Sequence, residues 1–200
     1  MNRGFTLVEL LVVIAMVAVI GVVMLAIFTN TLRGSHKAQV LSAIKQNGQA
    51  VLEAMDRDIR NADNVVCATS TNLVIISGGD YTRYRFITPT GTANGLIQQD
   101  NPTKQIDPGT GEEETEAAFS NRVCNPNDPM TQTSILTDTN SRSGVSVASG
   151  SFERISQPGS TDDVTITINI GPPFEVPPAI SSQIDPVAFQ TTVHLRPKKI

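Results

Sequence analysis

Hydrophobic residues fill one end of this chain without a break and return at regular intervals along the rest. From Phe5 to Phe28 the single charged residue is Glu9, and Leu10 to Phe28 is a run of nineteen residues with no charge. At about 1.5 Å per residue, such a helix spans roughly 28 Å, close to the hydrocarbon thickness of a bilayer. An ordinary secretory signal has a shorter apolar run, about 7–15 residues, with an Ala-x-Ala cleavage site behind it. No Ala-x-Ala follows near the end of this run. The pattern predicts a retained helix able to sit in a membrane.

Beyond the uniform run the apolar positions thin to steps of three and four. Leu41, Ile44, Gly48, Leu52, Met55, Ile59 and Ala62 form one stripe, while Lys45, Gln46, Glu53, Asp56, Arg57 and Arg60 fall away from it. That spacing is an amphipathic helix with one face to bury. Gly34 and Gly48 each weaken it by up to about 1 kcal/mol without having to break it. Residues 61–64 supply a stop, so Phe5 to Ala62 reads as one helix of 58 residues, about 87 Å long.

The period then changes to two. NLVIIS (Asn72–Ser77) and YTRYRFI (Tyr81–Ile87) read as strands joined by Gly78-Gly79-Asp80, a hairpin turn. GLIQQ (Gly95–Gln99) is placed to pair next. DVTITINI (Asp163–Ile170) alternates strictly, as a strand with one buried face does, and VAFQTTVHLR (Val187–Arg196) is the last strand. Between residues 100 and 150 the signal fades, with a short helix expected at 112–121, and GPPFEVPP (Gly171–Pro178) reads as an extended connector. Strands that follow a helix without a βαβ rhythm predict an α+β fold, the long helix packed on an antiparallel sheet.

Composition narrows the function classes. The chain has 200 residues and a net charge of −4, with both signs mixed along it, which makes nucleic acid an unlikely partner. All twelve prolines lie at or beyond Pro89. His36 and His194 stand far apart with no ligand-spaced neighbour, so no metal site and no cofactor is expected. The acidic stretch DPGTGEEETE lacks an EF-hand pattern and reads as a solvated loop. No phosphate-binding or nucleophile-elbow motif occurs, and a catalytic role is not expected.

The start of the chain carries the most specific signal. Gly4 is followed by Phe-Thr-Leu-Val-Glu-Leu and then by the long apolar run. This resembles the signal of type IV pilins and type II secretion pseudopilins. The resemblance implies cleavage after Gly4 by a prepilin peptidase, N-methylation of the new terminus at Phe5, and an assembly role for Glu9, whose carboxylate would meet the Phe5 amine of a neighbouring subunit. It divides the chain into a leader, residues 1–4, an assembly helix, residues 5–30, and an exported domain, residues 31–200. Flanking charges, Arg3 before the helix and Arg33 and Lys37 after it, do not choose an orientation. The resemblance does: cytoplasmic N-terminus, single pass through a bacterial inner membrane, exported C-terminal domain. Export would put Cys67 and Cys124 where disulfides persist, so they either pair or stay as two buried thiols.

The partners implied are other pilin-like subunits, the peptidase, an inner-membrane assembly platform, and membrane lipid before assembly. Residues 49–65 and 84–99 resemble J-class minor pseudopilins and W-class minor pilins. The apolar helix also lacks the proline of many major pilins, with Ala26 in its place. The expectation is a structural minor subunit that primes or caps a filament. The alternatives are a major pilin, a competence pseudopilin, or a membrane-anchored periplasmic binding module or enzyme.

Overall fold

The computed structural model describes residues 6–106, 109, 111–156 and 161–196. One helix, α1 (Leu7–Arg60), holds 54 residues. The chain divides into two compact units, residues 1–39 and 40–200. In the first unit the described residues from Leu7 on are helical, and nearly all are exposed. The second unit holds the end of α1 and everything after it.

Five antiparallel strands follow in meander order: β1 (Asn64–Ala68), β2 (Asn72–Ser77), β3 (Asp80–Ile87), β4 (Leu96–Asp100) and β5 (Ser134–Ile135). A second, three-stranded sheet has the order β6 (Ser146–Ile155), β7 (Asp163–Gly171), β8 (Val187–His194). Two short helices complete the domain, α2 (Glu116–Val123) between β4 and β5, and α3 (Pro178–Ser181) between β7 and β8. This is the α+β architecture of a pilin-like domain.

Local chemistry sets these elements. The β2–β3 hairpin closes at the Ser77–Asp80 pair, with φ of 60° at Gly78 and 99° at Gly79. Two successive left-handed residues match the twist of the flanking strands, and glycine adopts that conformation without steric cost. Thr115 caps α2, its hydroxyl oxygen accepting the Ala118 N–H at 3.3 Å. That cap starts the helix later than the expected 112–121.

The core lies between α1 and both sheets. Ile44, Val51, Met55 and Ile59 face Leu73, Ile75 and Ile97 of the first sheet and Ile166, Ile168 and Val193 of the second. Gly48 is buried with them because the Phe189 ring occupies the space of its missing side chain; a Cβ there would lie 2.6 Å from ring atoms. Tyr84 Oη donates to Asp58 Oδ2 at 2.5 Å and ties β3 to the helix. Burial and that bond hold the phenol above its usual pKa.

The helix ends at Arg60 rather than near 62, and Asn64 already begins β1. The single sheet expected from the strand pattern is two. The second begins at β6, a strand the pattern did not reveal. β6 joins the first sheet through Val147 N–H to Gly95 O at 2.9 Å and Phe152 N–H to Thr69 O at 3.2 Å. Phe86 and Phe152 stack with centroids 4.4 Å apart, and Gly150 leaves room for the Phe86 ring. The connector at 171–178 is not wholly extended, since Pro178 begins α3.

Candidate assembly segment and the braced C-terminal domain

Of the residues that carry the sequence signal, Glu9 sits in the first turn of α1. Thr6 precedes the helix, and its Oγ1 accepts the Glu9 N–H at 3.2 Å, while Thr6 O accepts the Leu10 N–H at 3.2 Å. Thr-x-x-Glu is the sequence of a capping box, which satisfies helix-end N–H groups that otherwise lack partners. Thr6 therefore fixes where the helix begins, and Glu9 falls three residues in, where a negative charge also suits the helix dipole. The Glu9 side chain is exposed, and among the described residues its carboxylate makes no hydrogen bond or ion pair. Gly4 and Phe5, the expected cleavage and methylation positions, lie outside the described residues.

From Leu7 to Phe28 the helix surface is apolar and uncovered. Leu7 is 79% exposed and Val22 71%. The best eighteen-residue window has a mean hydropathy of 3.3 and no buried residue. The hydroxyls behind this surface are satisfied inside the helix, Thr29 Oγ1 donating to Ala26 O at 3.0 Å and Thr31 Oγ1 to Ile27 O at 2.9 Å. A bare apolar cylinder of this length is stable only in lipid or against other apolar helices.

A second cluster braces the unit formed by residues 40–200. On the outer face of the first sheet, away from α1, Val74 packs with Phe119 and Val123 of α2. Cys67 on β1 and Cys124 at the end of α2 are joined by a disulfide with Cα atoms 6.2 Å apart. Beside it Arg83 is 1% exposed. It donates from Nε and Nη2 to both Asp100 oxygens at 2.9 and 2.7 Å, and from Nη1 to Asp128 Oδ2 at 2.6 Å. Burial opposes the Arg83 charge, and the two carboxylates outweigh it, so its pKa rises above the ordinary arginine value. Arg85 spans from Asn72 Oδ1 at 2.9 Å to Asp128 O at 2.7 Å. Here burial comes first and Arg83 adds repulsion, and the Arg85 pKa is lowered.

Sequence reasoning missed Arg83, Asp100 and Asp128. The one available signal was weak: a strand, YTRYRFI, whose polar positions are arginines at alternate steps. Two carboxylates of the acidic stretch are ion-paired, Glu114 to Arg122 at 2.9 Å and Glu116 to Lys104 at 2.6 Å. Among the described residues no group of three or more His, Cys, Asp or Glu is placed to hold a metal.

No curated protein and no solved structure matches this chain. Residues 1–28, which hold Gly4, Phe5, Glu9 and most of the bare apolar helix, match the family model described as the prokaryotic N-terminal methylation motif. That match and the α+β architecture support a type IV pilin-like protein, a pilin or pseudopilin precursor processed by prepilin peptidase and structural rather than enzymatic.

Proposed function

We propose that this chain is a minor subunit of a type IV pilus or type II secretion pseudopilus, one that primes or caps the filament. The peptidase cuts after Gly4 and Phe5 becomes the methylated terminus. The apolar half of α1 waits in the inner membrane with its N-terminus cytoplasmic, then transfers to the filament core through the assembly platform.

The observation that carries this reading is the Glu9 carboxylate, exposed on an otherwise apolar helix surface and without a hydrogen bond or ion pair among the described residues. A carboxylate at the centre of a membrane costs roughly 2.5–3.5 kcal/mol on insertion scales, and less near an interface. Pairing with the Phe5 amine of a neighbour offsets that cost and fixes the axial register of parallel helices. The minor role is supported by the proline-free α1 and by residues 49–65 and 84–99, which resemble minor subunits. A few copies at a tip also avoid repeating a domain of eight strands around a narrow core.

Mass spectrometry of sheared filaments tests both parts. The N-terminal peptide should begin at a methylated Phe5, and the chain should be scarce beside a major pilin. An intact Met1 would refute the processing. Dominance of this chain along the shaft would make it a major pilin.

A further inference from the structure

The two sheets have four edges, and three are blunted. β5 is two residues long. β1 is five residues, with a register shift between Val65 and Cys67 and its Val65 O taken by Arg154 Nη1 at 3.0 Å. β6 is shifted between Val147 and Ser149 and bonds to Gly95 and Thr69 of the first sheet. Shortness, bulges and cover are the usual means by which proteins prevent edge pairing.

Among the described residues β8 has none of these. It runs eight residues, VAFQTTVH, in unbroken register with β7, and contains neither a charged residue nor a proline. Its outward groups follow from the ladder. Leu195 N–H donates to Asp162 O at 3.1 Å. In an antiparallel pair the bonded positions alternate. Val193, Thr191, Phe189 and Val187 therefore bond to β7, while the N–H and C=O of Ala188, Gln190, Thr192 and His194 point away from it. The close Thr165–Thr192 hydroxyl contact at 3.0 Å marks a non-bonded pair, in agreement. All four outward residues are exposed, and among the described residues no further backbone bond reaches them.

We infer that the outer edge of β8 docks an extended strand of a different pilin-like subunit. This rests on the filament-subunit reading above. Backbone pairing supplies the affinity in such strand addition, and alternate side chains supply the choice of partner. The occupant should be apolar beside the half-exposed Val187 and Phe189 and polar beside Gln190 and Thr192. A second copy of this chain fits poorly. Its other edges are short, bulged or covered. Joining β8 to β8 about a two-fold axis makes the strands antiparallel and reverses residues 40–60 of one copy against the other, whereas chains inserted by one N-terminal signal run parallel.

Amide hydrogen exchange on the full-length chain tests this, comparing detergent-solubilised monomer with filament-assembled protein. The amides of Ala188, Gln190, Thr192 and His194 should exchange at least tenfold more slowly when assembled, and those of Thr191 and Val193 slowly in both states. Equal exchange of the outward amides in the two states overturns the proposal. Ala188→Pro removes an outward N–H without breaking the β7 ladder, and Gln190→Lys adds a guarding charge. Both should keep the wild-type melting temperature and lose at least tenfold in incorporation; normal incorporation of both overturns the proposal. A photo-crosslinker at Gln190 should link to a strand of another pilin-like chain, and links confined to a second copy of this chain overturn the choice of partner. Abundance in the same filaments judges the minor-subunit reading separately, because a dominant chain whose outward amides stay fast fails both, and a scarce one fails only the edge.

Discussion

A buried charge is stable only while its partners stay charged and in place. Arg83 is held by Asp100 and Asp128 and by the Pro129 carbonyl at 3.2 Å. Removing one partner of such a pair typically costs about 3–5 kcal/mol, because the remaining charges cannot return to water. Arg83→Met should therefore destabilise the unit of residues 40–200 by about 3 kcal/mol or more in urea unfolding. The Asp56–Arg60 pair on α1 is shorter in sequence and well exposed, at 30% and 52%. Asp56→Asn should leave the urea midpoint nearly unchanged, since an exposed pair is screened by water. A similar loss in both variants would show that Arg83 is not sealed from water. This residue was illegible beforehand because an arginine on a strand normally marks a solvent face. What covers it, α2 and residues 124–131, is remote in sequence and weakly patterned.

Among the elements, legibility followed periodicity. β2, β3, β7 and β8 announce themselves through alternation or β-branched runs, and α1 through its stripe. Val51 joined the buried face between the stripe positions, since an apolar stripe is wider than one residue. β6 stayed hidden because it is built of Ser, Ala and Gly around Val147 and Phe152; small residues are needed where Phe86 crosses Gly150. At the N-terminus the motif from Gly4 to Leu10 was legible in the sequence, and the Thr6 cap on the Glu9 N–H came from the structure. α2 shows how an element with little hydrophobic surface is fastened. Glu114 accepts from Arg122 Nε at 3.1 Å and Nη2 at 2.9 Å, which holds the carboxyl below its ordinary pKa. A depressed carboxyl pKa adds stability above the unfolded value, about 4.3, and loses it as pH falls through the folded value. Denaturation midpoints of wild type and Glu114→Gln should differ at pH 7 and converge below about pH 4. A gap unchanged down to pH 3 would assign the bond no role in acid sensitivity.

For the whole molecule, the disulfide closes a loop of 57 residues. Chain-entropy arithmetic gives such a loop about 4 kcal/mol, the upper part of the usual range. The loop encloses β2, β3, β4 and α2. It also encloses the exposed connection at residues 88–93, a natural target for proteases. A cut there separates the chain into a piece carrying α1 to β3 and a piece carrying β4 to β8. Cys67 lies on the first and Cys124 on the second, so the two halves stay covalently attached. Nicked protein should migrate as one band on a non-reducing gel and as two after reduction; separation without reductant would mean that the bridge is not formed in the isolated protein. Whatever holds α1 in place therefore also holds the distal half of the chain after a cut at residues 88–93.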